Sequence, residues 1–132
     1  MLRRLTFITW ILCCTVTLPA RAQEDSPELR ACMAQSNGYV SKMLDCDEIE
    51  VGKWDKRLNV AYETLLHASK GRVRIQLQHE QRAWLDHHLK ETHRLAAVRG
   101  IGWAADETAS GFKLHDLSLR TLALEKRVNA LR

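Results

Sequence analysis

The sequence predicts an all-α domain. Its apolar residues recur at three- and four-residue spacing, not at the two-residue alternation of a strand, and its breaks fall at Ser-Pro, Asn-Gly and Lys-Gly pairs that open or close helices. No internal repeat or low-complexity run interrupts that pattern.

The first 22 residues are read as a targeting segment. MLRRLTFITWILCCTVTLPARAQED sets Arg3 and Arg4 before an apolar run from Leu5 to Leu18, then supplies Ala20-Arg21-Ala22, the layout of a secretory signal peptide. The run is shorter than the roughly 20 residues that span a bilayer, so a retained anchor is the weaker alternative. Cys13 or Cys14 as a lipid attachment site would need small residues ahead of it, where Ile11 and Leu12 stand. The expected organisation is therefore a signal peptide over 1–22 and one helical domain over 23–132, with no stable membrane anchor after cleavage. Loss of 1–22 takes Arg3, Arg4 and Arg21 from 20 basic residues and none of the 16 acidic ones, lowering the formal charge from +4 to +1. No basic field remains to suggest nucleic-acid binding.

Ser26 and Pro27 form an N-cap and first-turn pair that opens a short helix through Leu29, Cys32 and Met33, and Ser36-Asn37-Gly38 closes it. Ser41 is expected to cap a second helix in which Leu44, Val51, Trp54, Leu58, Ala61 or Tyr62, and Leu65 form a seam, running to about Ser69. Lys70-Gly71 breaks it. A third helix carries Val73, Leu77, Trp84, His88, Leu95 and Val98 and is expected to end at Gly100-Ile101-Gly102. At about 28 residues and roughly 42 Å each, these two helices suit the arms of a long antiparallel hairpin.

Folding about Lys70 and Gly71 brings Leu58 toward Trp84, and Asn59 toward Arg82. Trp54, Leu58, Tyr62 and Trp84 are then the hairpin seam, and Asp55, Asn59 and Arg82 a polar cluster that fixes register. A last helix from about Phe112 presents Leu117, Thr121, Leu124, Val128 and Leu131 to cover one groove of the hairpin. Gly52 costs the second helix about 1 kcal/mol relative to Ala, which close approach of the first helix would explain.

Two cysteines, Cys32 and Cys46, lie beyond the targeting segment, in a chain bound for an oxidising compartment. They are expected to bond to each other. Closing a loop of about 15 residues stabilises a small fold by about 3 kcal/mol in the chain-entropy model. A metal pair or redox couple is the alternative, but the spacing is not C-x-x-C and no further ligands sit at finger-like positions.

The series Cys32, Ser36, Gly38, Met43, Cys46, Glu50, Trp54-Asp55, Leu58-Asn59, Tyr62 and Leu65, followed by Gln81-Arg82-Ala83-Trp84, resembles the LprI-like lysozyme-inhibitor family of secreted bacterial proteins. The resemblance spans roughly residues 30 to 127. It implies a small exported helical domain that acts by binding another protein, with a lysozyme-type glycosidase as the candidate partner. The family pattern also carries a second disulfide, one cysteine shortly after the QRxW tryptophan and one in the last helix. Here His88-Leu89, Thr92, His115 and Asp116 occupy those regions, so the last helix is expected to be held by packing alone.

Little else in the chain points to chemistry. His87, His88 and His93 lack the i, i+4 spacing of a helical zinc site, and Asp45 with Asp47, like Glu48 with Glu50, fall on different helix faces. Gly-x-Ser-x-Gly and phosphate-binding glycine motifs are absent from the sequence. The expectation is a binding protein with no cofactor, no metal and no catalytic residue. Two roles compete: a block on a peptidoglycan-cleaving enzyme, or an accessory protein that holds an envelope partner on an exposed apolar groove without touching lysozyme. For the first, residues 98–112 are expected to form a loop that offers Arg99 and Trp103 to the partner. The same Trp103 could instead tuck beneath the last helix.

Overall fold

In a computed structural model describing residues 25–131, the chain forms α1 (Pro27–Gln35), α2 (Val40–Ala68), α3 (Gly71–Ala96) and α4 (Trp103–Asn129), with no strand among the described residues. The expected signal peptide lies outside them. The Ser26 hydroxyl accepts a hydrogen bond from the Leu29 amide at 3.0 Å and Pro27 opens the first turn of α1. The turn after α1 places Asn37 at φ 52° and Gly38 at φ 76°, left-handed conformations that Asn and Gly adopt most readily.

Ser41 does not cap α2. The Ser36 hydroxyl and carbonyl take the amides of Gly38 and Tyr39, so the turn closes within three residues and α2 starts at Val40, with Tyr39 at the N-cap position. Cys32 and Cys46 are bonded, with Cα atoms 5.8 Å apart, and this staple fixes α1 against α2. Buried Leu29 and the hydrogen bond from Ser26 to Glu50 (2.9 Å) complete the attachment.

The hairpin of α2 and α3 is present, and α4 covers it more deeply than a lid would. α4 packs along both arms, whereas α2 and α3 touch each other little. The cross-links from α2 to α4 climb together, Asp47 to Ser110, Trp54 to Thr121 and Arg57 to Glu125, so these helices run parallel and α3 runs against both. The core is accordingly shared three ways: Val51, Leu58, Ala61 and Leu65 from α2, Leu77 from α3, and Leu117 and Leu124 from α4. Thr121 is fully buried and resolves its hydroxyl by donating to the Leu117 carbonyl at 2.8 Å.

Three further expectations need correction. Direct packing of the arms around residues 58 and 84 gives way to α4, whose Leu117 and Leu124 fill the space between them. Gly52 is not a point of close approach, because a Cβ built there would meet nothing within 4 Å. Finally, α3 stops at Ala96 and α4 begins at Trp103, nine residues before Phe112.

Candidate partner-binding surface

The corner between α3 and α4 is only six residues long, and its two glycines shape it. Gly100 and Gly102 adopt φ 88° and 53°, and the amides of Ala104 and Ala105 bond back to the carbonyls of Ile101 and Gly102. Residues 98–112 are therefore mostly helix: the expected long loop contracts to a tight corner, and Trp103 becomes the first residue of α4. Burial explains the extension. Ala105 and Ala109 are 3% and 5% exposed, and the Ser110 hydroxyl donates to Asp47 at 2.8 Å, so tertiary contacts stabilise a segment of modest helical propensity.

The corner presents its apolar side chains outward. Trp103 is 63% exposed, so it does not tuck beneath α4, and Val98 and Ile101 are exposed beside it. Arg99 is exposed between them and makes no hydrogen bond or ion pair among the described residues. The result is a cation flanked by three large apolar side chains on a backbone constrained by two glycines.

The polar cluster forms only in part. Asn59 donates to Asp55 at 3.1 Å, but Arg82 lies in a shallow depression with Tyr62 and Gln78 and bonds to neither. With α4 wedged against both arms, the two walls do not close to hydrogen-bonding distance there. The seam residues divide similarly. Leu58 is in the shared core and half-buried Tyr62 packs against it. Trp54 is capped by the Arg57 guanidinium 4.0 Å from its ring centroid, and Arg57 in turn makes a two-point contact with Glu125 of α4.

Trp84 leads to a cluster that sequence reasoning missed. Its indole N–H donates to Asp116 at 2.9 Å, and the same carboxylate oxygen meets Nδ1 of buried His88 at 2.7 Å. The Trp84 and His88 rings stack at 4.9 Å, with Phe112 beyond His88 at 6.0 Å. The final helix is thus held to α3 by partly buried polar bonds as well as by packing, in the region where the family pattern would put its second disulfide. His88 was legible as a seam residue. Its partner was not, because nothing local sets the register of α4 against α3.

A second polar site lies under α1. Ser26, Asp47, Glu50, Trp54 and His115 line a half-open cavity of about 260 Å³ together with Leu29 and Met33. Glu50 is buried and accepts from Ser26 and from Lys53 at 3.0 Å. Burial pushes the Asp47 carboxyl above its ordinary range, the Ser110 hydroxyl opposes that shift, and the charge of Asp25 adds to it. No group of three or more potential metal ligands occurs among the described residues.

A disulfide-stapled helical domain with an exposed aromatic and cationic corner has the build of a protein-binding module. The family model described as lysozyme inhibitor LprI matches residues 22–131, and the chain belongs to that family. No curated protein and no solved structure shows significant similarity to the chain. No helix among the described residues is long and apolar enough to cross a membrane.

Proposed function

We propose that this protein is exported to the periplasm or beyond, loses residues 1–22, and inhibits a lysozyme-type peptidoglycan hydrolase by inserting the α3–α4 corner into its cleft. The observation that carries this reading is Arg99, which pairs with none of the described residues, between exposed Val98, Ile101 and Trp103. Hydrolases of this class work with two carboxylates in a cleft built for a sugar chain. A guanidinium can pair with such a carboxylate, and an indole can lie where a sugar ring would stack. The chain then acts by occupancy and needs no catalytic residue of its own. Membership of the family supports the choice of partner.

The test is calorimetric titration of a lysozyme with the protein, repeated with a chito-oligosaccharide filling the cleft. Binding that the oligosaccharide suppresses, and that Arg99→Ala with Trp103→Ala abolishes, is the expected result. Binding indifferent to both would place the contact elsewhere.

A further inference from the structure

The wedge position of α4 leaves the far side of the hairpin open. Between α2 and α3 runs a groove of about 400 Å³ whose floor includes Leu58 and Leu117. Its walls differ in character. The α3 wall offers Leu85 and Leu89, 45% and 48% exposed. The α2 wall presents Glu48 and Asp55 on either side of Gly52, and Asp45 extends the same helical stripe one turn toward the N-terminus. Among the described residues, only Glu48 of these three carboxylates has a cation, Lys113 at 2.7 Å. Asp55 is met by the neutral amide of Asn59, and Asp45 makes no hydrogen bond or ion pair among the described residues.

Gly52 gives the groove its depth. It lies midway along the acidic wall, exposed, with open space where a side chain would be. A glycine inside a 29-residue helix weakens that helix, and no neighbour among the described residues requires it. It does allow an incoming backbone to approach to the 8–10 Å of packed helices.

We infer that the α2–α3 groove receives an amphipathic helix of another protein, its apolar stripe on Leu85 and Leu89 and a basic flank against Asp45 and Asp55. The groove runs from Glu48 to Asn59, roughly 16 Å at 1.5 Å per residue, enough for about three turns of partner helix. Docking there would complete a four-helix bundle around the shared core. The site is separate from the α3–α4 corner, and the inference does not depend on inhibition of a hydrolase.

The test measures fluorescence anisotropy of a labelled synthetic 18-residue helix, with a leucine stripe and lysines along one flank, titrated with the purified protein. A second peptide carries glutamates in place of the lysines. The basic peptide is expected to bind and the acidic one to bind at least about tenfold more weakly. Gly52→Leu fills the groove while favouring the helix, so it should raise the melting temperature and weaken the basic peptide about tenfold or more, the size of one interface hot spot. Asp45→Asn with Asp55→Asn should flatten the salt dependence of binding. Trp103→Ala should leave binding unchanged, which separates this result from the fate of the corner. Three outcomes overturn the inference: no binding of the basic peptide, equal binding of both peptides, or undiminished binding to a folded Gly52→Leu. Sedimentation showing a dimer that Gly52→Leu dissociates would also overturn it, by assigning the groove to a second copy of the chain.

Discussion

Replacing Asp116 with Ala should destabilise this protein by about 1 to 4 kcal/mol, because one carboxylate oxygen serves two donors on the neighbouring helix. His88, 6% exposed, would lose its 2.7 Å partner and remain buried, at a cost of about 1–3 kcal/mol. The half-buried Trp84 indole would lose a 2.9 Å bond but can turn part of its N–H to water, so it adds about 1 kcal/mol or less. Urea unfolding followed by circular dichroism reads the sum. With a slope of about 2 kcal/mol per molar, the middle of the range for a small domain in urea, the midpoint should fall by roughly 0.5 to 2 M. A cycle with Trp84→Phe isolates the indole bond, since phenylalanine keeps an aromatic ring beside His88, and the coupling should be about 1 kcal/mol. A midpoint unmoved by Asp116→Ala, or strict additivity with Trp84→Phe, would refute the cluster as the link between α3 and α4.

Other consequences follow from single residues. Gly52→Ala should raise stability by about 0.5–1 kcal/mol in the same urea assay, since the new methyl meets nothing. Asp47→Asn should stabilise the fold at neutral pH: a carboxyl raised above 3.8 by burial favours the folded state while protonated and loses that contribution as pH rises through the folded value. Unfolding curves of the variant and the parent should therefore converge in acid below 3.8 and separate as pH rises. Cys32→Ser with Cys46→Ser should cost about 3 kcal/mol and expose Leu29, visible as faster amide exchange in α1 than in α4.

The elements that carry their own punctuation were legible in the sequence. Ser26-Pro27 and Asn37-Gly38 mark α1, and Lys70-Gly71 marks the hairpin turn, because caps and left-handed residues act locally. The start of α4 was not. Trp103 to Gly111 carries small and polar residues and has no side-chain cap, so its helicity rests on burial of Ala105 and Ala109 and on the bond from Ser110 to Asp47. The placement of α4 between the arms was hidden for a related reason. Periodicity tells which face of a helix is buried but not which neighbour buries it, and Trp84 reads the same whether it faces Leu58 or Asp116. Arg99 and Trp103 were legible as an unusual pair, while their projection from a corner set by Gly100 and Gly102 emerged only with the backbone.

The most direct measurement of the central claim is the rate of peptidoglycan lysis by a lysozyme as the protein is added. Inhibition should saturate at one protein per enzyme and be lost when Arg99 and Trp103 are both replaced by Ala in a chain that still melts like the parent. Full lytic activity in the presence of micromolar protein, or inhibition unchanged by those two substitutions, would contradict it.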